Sequence, residues 1–243
     1  MSLKYKVLGY FLKEKSKAEV HWVLLKWSSY YKDLSTINQE IFQIRTLIFI
    51  KTTRFLSDPN FYISPEMKIV ISSAFTQVTF GLKIVTFSKF NTIFIAPSSY
   101  TYKRVHQFFD GDVNVKTSRV NLSWPAVERG FKISDDALNL CIHEFGHCLI
   151  IENSKRNYIG IFNENNFKSY SNTANYFIAQ IRAAENSFLR NYGGENLMEF
   201  FSVSLESFFE KPDEFSQKLP KLYNSLAQLL NQDPRKKEHP KLS

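Results

Sequence analysis

The stretch that most constrains this chain runs from Ser134 to Glu152, SDDALNLCIHEFGHCLIIE, and contains His143-Glu144-Phe145-Gly146-His147. At about 100° per residue, an α-helix sets the two histidines of H-E-x-x-H roughly 40° apart on one face, so both imidazoles can reach one metal ion. The pattern predicts a helix N-capped by Ser134, with Asp135 and Asp136 in its positive first turn. Leu138, Cys141, Ile142, Phe145, Cys148 and Leu149 are expected to bury its opposite side. Gly146, lacking a side chain, lets a neighbouring element approach closely. Two neutral imidazoles and one carboxylate hold zinc (Zn2+) and leave a position for water. Glu144, beside the ligand face, is the candidate base for that water. The bland alternative is a solvated helix face, and the apolar residues around the motif argue against it.

A third ligand has to come from elsewhere in the chain. His21 lies in the basic N-terminal region, His106 on a strand candidate and His239 in the tail, so all three are poorly placed. Downstream carboxylates are better candidates: Glu195, Glu199, Glu206 and Glu210. Glu199, between Met198 and Phe200 in an apolar run, is expected to face inward, although Asn196-x-x-Glu199 also has capping-box spacing. Glu206, seven residues on and on nearly the same face, is the alternative ligand or a partner that orients one.

With 243 residues, 44% of them hydrophobic and 23 of them Phe, the chain can fill a sizeable core. No apolar run approaches the ~18 residues of a membrane span, so a cytoplasmic protein with no membrane partner is expected. Cys141 and Cys148, the only cysteines, would stand ~10.5 Å apart along one helix, too far for a disulfide, and read as small core residues. Residues 1–115 carry fifteen Lys/Arg against eight Asp/Glu (+7), and residues 116–243 sixteen against fifteen (+1). These lysines are dispersed and no nucleic-acid motif accompanies them, so the excess reads as a solubilising surface rather than a nucleic-acid site.

The chain divides into a basic helical extension (1–35), a main domain (36–234) and a charged tail (235–243) expected to be disordered. A helix from Ser35 carries Ile37, Ile41, Ile44, Ile48 and Phe55 on one stripe and stops at Ser57-Asp58-Pro59-Asn60. Ser64-Pro65 opens the next helix, which Gly81 closes. Strands are expected at 83–87, 92–96, 105–109, 113–116 and 120–124, one of them bordering the metal site with an edge to which an extended peptide could pair. Residues 153–170 read as a loop, and helices follow over 171–190, 196–210 and 219–231.

Beyond the central motif, the ordered series Asn121-Leu-Ser-Trp124, Asn139, Glu199-Phe-Phe-Ser-Val, Phe208-Phe-Glu-Lys-Pro212, Pro220-Lys-Leu-Tyr223 and Gln232-Asp-Pro234 resembles the Mlc titration factor A family. These are zinc-dependent peptidases distantly similar to the catalytic domain of anthrax lethal factor, and the similarity spans about residues 36–234. It implies His143, His147 and Glu199 as metal ligands, Glu144 as base and Tyr192 as donor to the transition state. Asn196-Leu197-Met198 departs from the family pattern before the third ligand, and the segment near 110–120 is short; both bear on cleft shape. The expectation is an α+β, zincin-like metallopeptidase, mainly helical with a small sheet beside the motif helix, acting on a peptide or protein substrate, with aminopeptidase action on short peptides as one form of that activity. The alternative is a regulatory protein that binds and sequesters a transcription factor and has only weak peptidase activity, since the resemblance implies relatives that are aminopeptidases and also bind a glucose-responsive transcriptional repressor.

Overall fold

The computed structural model describes residues 14–103, 106–154, 160–185 and 188–236. In chain order, α1 (Glu14–Trp27) and α2 (Ser29–Lys32) lead to α3 (Thr36–Thr52), β1 (Arg54–Ser57) and α4 (Pro65–Thr79). Then come β2 (Thr92–Ala96), β3 (Gly111–Asn114), β4 (Arg119–Ser123), α5 (Trp124–Lys132) and α6 (Leu140–Asn153). After α7 (Glu164–Arg182), a 3-10 turn at Asn191–Gly194 leads to α8 (Leu197–Glu210), α9 (Pro212–Lys218) and α10 (Pro220–Leu230). This is the expected α+β architecture, mostly helical with one small sheet. The first 13 residues of the basic extension, and the expected disorder of the tail beyond Lys236, lie outside the described residues. Among the described residues, no helix is long and apolar enough to cross a membrane.

The four strands lie in the order β1-β2-β4-β3, with β1, β2 and β4 parallel and β3 antiparallel to β4 at one edge. Ile93, Ile95, Val120 and Leu122 alternate into the core from the two central strands. Phe49, Phe75, Phe87 and Phe145 pack together there, with Phe49 and Phe75 stacked at 4.0 Å, tying α3, α4 and α6 into one interior. A smaller cluster around Leu24, Tyr31, Phe42 and Phe80 joins α1 and α2 to α3. Arg45, fully buried, donates to the carbonyls of Thr79, Phe80, Leu82 and Ile84 and so satisfies the C-terminal end of α4. At the far end of α6, Glu152 accepts from the backbone N–H groups of Ser88, Lys89 and Phe90, fixing the sheet's approach to this helix.

Several local expectations are corrected. Helix α3 ends at Thr52, and the Phe55 assigned to its stripe lies on β1; Ile37 is 59% exposed. Residues 83–87 form no strand: the Ile84 carbonyl accepts from Arg45, and Phe87 packs on Phe75. Of the 105–109 candidate, Val105 lies outside the described residues, and Phe109 makes only an isolated bridge with Tyr100. Trp124 opens helix α5 rather than closing a strand, and α7 begins at Glu164, where Asn163 caps it, inside the presumed loop. Pro212 stops α8 and also starts α9.

The central helix is shorter than its pattern suggests. Ser134 is not its cap: Asn139 is, with Oδ1 accepting from Ile142 N at 3.2 Å. Ala137 stands at φ 61, a left-handed backbone that costs a non-glycine residue about 1–2 kcal/mol and breaks the helical path. Leu138 therefore leaves the buried stripe and is 45% exposed, while Cys141, Ile142, Phe145, Cys148 and Leu149 remain in the core.

Candidate metal centre

Helix α6 presents His143 and His147 from one face, their rings 4.6 Å apart and nearly perpendicular. Helix α8 crosses them. Asn196 caps α8 by accepting from Met198 N and Glu199 N, while the Glu199 carboxylate turns to the two imidazoles. Its Oε2 lies 3.2 Å from His143 Nε2 and 3.3 Å from His147 Nε2. All three side chains are buried, and their ligand atoms lie within 4.8 Å of one another. A tetrahedral ion with bonds of about 2.0–2.1 Å has edges of about 3.3 Å, so the donor set fits a metal of zinc's size.

The surroundings fix which nitrogen faces the shared point. Ser202 Oγ donates to the His143 carbonyl at 2.8 Å, so at 3.2 Å it is an acceptor for His147 Nδ1–H. Glu206 Oε2 accepts from His143 Nδ1 at 3.0 Å, and its Oε1 accepts from Asn139 N at 2.9 Å. Both Nε2 atoms are thereby turned toward Glu199. Glu206 holds the ring of a candidate ligand and lies outside the group of side chains that could share one ion. Arg190 from the loop before the 3-10 turn grips the same Glu206 oxygen. The close crossing depends on Gly146, where a Cβ would meet Ser202 Oγ at 2.6 Å.

The electrostatics follow from burial and from this concentration of carboxylates. Burial opposes ionisation of Glu199, yet hydrogen bonds from His143 and His147 hold it down at about 2. Burial likewise opposes a charge on His143, but Glu199 and Glu206 raise it to about 10. Burial lifts Glu144 to about 8, and its Oε2 has no hydrogen-bond partner; the positive charge of a metal bound beside it would favour the carboxylate, which could then accept from a donor such as water.

Tyr192 lies on the 3-10 turn with its ring 5.9 Å from that of His143. Burial, then the charges of Glu199 and Glu195, push its phenol up to about 12, so it stays a proton donor at neutral pH. The other candidates go elsewhere. Glu195 is exposed, Glu210 accepts from Leu138 N at 3.2 Å, His21 pairs with the Tyr31 hydroxyl and His106 is exposed. His239 lies outside the described residues. Cys141 and Cys148 are free and buried, and burial pushes both thiols up, as small core residues should behave.

The strand bordering the site is β3, which among the described residues pairs with β4 on one side only. A Cβ on Gly111 would stand 2.9 Å from Glu144 Oε1, so glycine lets this edge lie directly against the carboxylate. Asp112 accepts from the hydroxyls of Tyr100 and Tyr102 and from Asn121 Nδ2, pinning β3 to the preceding loop and to β4. A cleft of about 300 Å³ opens beside His143, Glu144 and Tyr192. Sequence reasoning missed Ser202 and Arg190. Ser202 was open to detection, since Glu199, Ser202 and Glu206 follow i, i+3, i+7 on an apolar helix. Arg190 carries no such signal.

A family model described as glucose-regulated metallo-peptidase M90 matches residues 8–230 of this chain. An uncharacterized protein of Synechocystis sp., slr2042, is 22% identical over 235 residues, covering 88% of this chain and 84% of that protein.

Proposed function

Because the chain belongs to the glucose-regulated metallo-peptidase M90 family, we propose that it is a zinc-dependent peptidase whose ligands are His143, His147 and Glu199. The observation that carries this reading is the convergence of one carboxylate oxygen on two Nε2 atoms at 3.2 and 3.3 Å. Zinc, when bound, supplies a Lewis acid that lowers the pKa of water and polarises a carbonyl.

The chain's own residues do the rest. An extended peptide pairs with the free edge of β3, which holds its backbone beside Glu144. The orphaned Glu144 carboxylate receives the proton of the attacking water and then returns it to the departing amine. Tyr192 donates a hydrogen bond to the oxygen that becomes negative as the carbonyl turns tetrahedral. Short peptides, cut at or near their N-termini, are the substrates of this reading.

The test is a metal count followed by an assay. Purified protein is expected to hold one zinc per chain, and His147→Ala to lose it. Glu144→Gln should keep zinc while cleavage of a peptide library falls about 10²–10⁴-fold. Full zinc occupancy in His147→Ala would remove the ligand assignment. Undiminished cleavage by Glu144→Gln would remove Glu144 as the base, and no cleavage by the zinc-loaded wild type would favour the regulatory binder instead.

A further inference from the structure

The cleft next to Glu144 has walls that the proposed chemistry does not use. Phe108 is 71% exposed and Leu138 45% exposed, and both line it together with Ala126 and Leu140. Large exposed apolar side chains converging on one cavity mark a place where another apolar group binds. Leu138 is held there deliberately. The left-handed Ala137 turns the chain out of the helical path, and Leu138 N is fixed by Asp136 and Glu210. Arg129 pairs with Asp110 at 3.6 Å and Arg190 with Glu206, so the walls left open to a guest side chain are the apolar ones.

From these walls the geometry points to a specificity pocket for a bulky apolar side chain, Leu or Phe, on the substrate residue just after the scissile bond. The inference rests on the peptidase reading above. Placement after the bond follows from the sheet. The pocket lies at the N-terminal end of β3, beside Phe108, Phe109 and Gly111. A peptide that pairs antiparallel to β3, the more stable arrangement per residue, puts its C-terminal half there.

The experiment walks a single Leu, Phe, Asp or Lys along an otherwise all-alanine peptide and maps the cuts made by the zinc-loaded full chain. Cleavage before Leu or Phe is expected to be at least about tenfold faster than before Asp or Lys. Leu138→Asp should erase most of that preference and raise the relative rate before Lys. Binding gives a readout without turnover: zinc-loaded Glu144→Gln, followed by calorimetry, should bind the Leu peptides about tenfold tighter than the Asp peptides, and Leu138→Asp in that background should lose the difference. Rates indifferent to the residue after the bond, or selectivity carried by the residue before it, would overturn the pocket. If the wild type cuts nothing while Glu144→Gln still prefers Leu peptides, the pocket stands and the peptidase reading falls; equal binding of both sets sinks the pocket itself.

Discussion

Glu206 accepts from His143 Nδ1 at 3.0 Å and is gripped on the same oxygen by Arg190, so a carboxylate on α8 decides how a ring on α6 is presented. The ring's other nitrogen, Nε2, is left facing Glu199. Helix α8 thus supplies one candidate ligand and the two side chains, Ser202 and Glu206, that aim the others.

Glu206→Gln should retain the fold but weaken the orientation of His143. Metal affinity is expected to drop about 10–100-fold, measured by competition with a chelator of known affinity. Unchanged affinity would show that packing alone holds the ring.

Gly146→Ala places a methyl where Ser202 Oγ lies 2.6 Å and Ser202 Cα 3.2 Å away. The two helices have to part, at a cost of about 1–3 kcal/mol, which for a chain of this size lowers Tm by roughly 2–4 °C per kcal/mol. Adding Ser202→Ala should recover part of the loss in Tm but none of the metal affinity, because the partner of His147 Nδ1 goes with the hydroxyl.

Tyr192→Phe removes a hydroxyl from a half-exposed ring and should leave zinc content and Tm unchanged. As an oxyanion donor, the phenol is expected to be worth roughly 10²–10³ in kcat with little change in KM. Normal kcat in a zinc-replete sample would make Tyr192 an anchor for the Gly193-Gly194 turn and nothing more.

Burial raises Glu210 to about 8, despite hydrogen bonds from Asn139 and Leu138 N that favour its charge. Its folded pKa exceeds the unfolded value of about 4.3, so the folded state binds the extra proton and stability falls as pH rises through that interval to about 8. Glu210→Gln, which cannot ionise, should match the wild type near pH 4 and exceed it at pH 9 by on the order of 5 °C in Tm. Parallel Tm profiles for the two proteins would mean that Glu210 titrates as an ordinary surface carboxylate.

Local order alone determined the spacing of His143 and His147, the placing of Glu199 and Glu206 on one face of a later helix, and the core roles of Phe145, Cys141 and Cys148. These follow from helical periodicity, which is written within four to seven neighbouring residues. Tertiary structure decided what the periodicity could not. Glu199 meets His143 across 56 residues and Glu206 meets it across 63, contacts that exist because Gly146 lets α8 approach. The start of the central helix was misplaced for the same kind of reason: Ala137 takes a left-handed backbone, and Glu206 and Glu210 reach back from α8 to hold the turn open. Which strand would lie at the edge beside Glu144 was likewise unreadable, since β3 earns that place by pairing with β4 and by presenting Gly111 where a side chain would not fit. Spacing along a helix is fixed by its own geometry, but the meeting of two helices or a helix and a sheet edge depends on the shape of both surfaces at once.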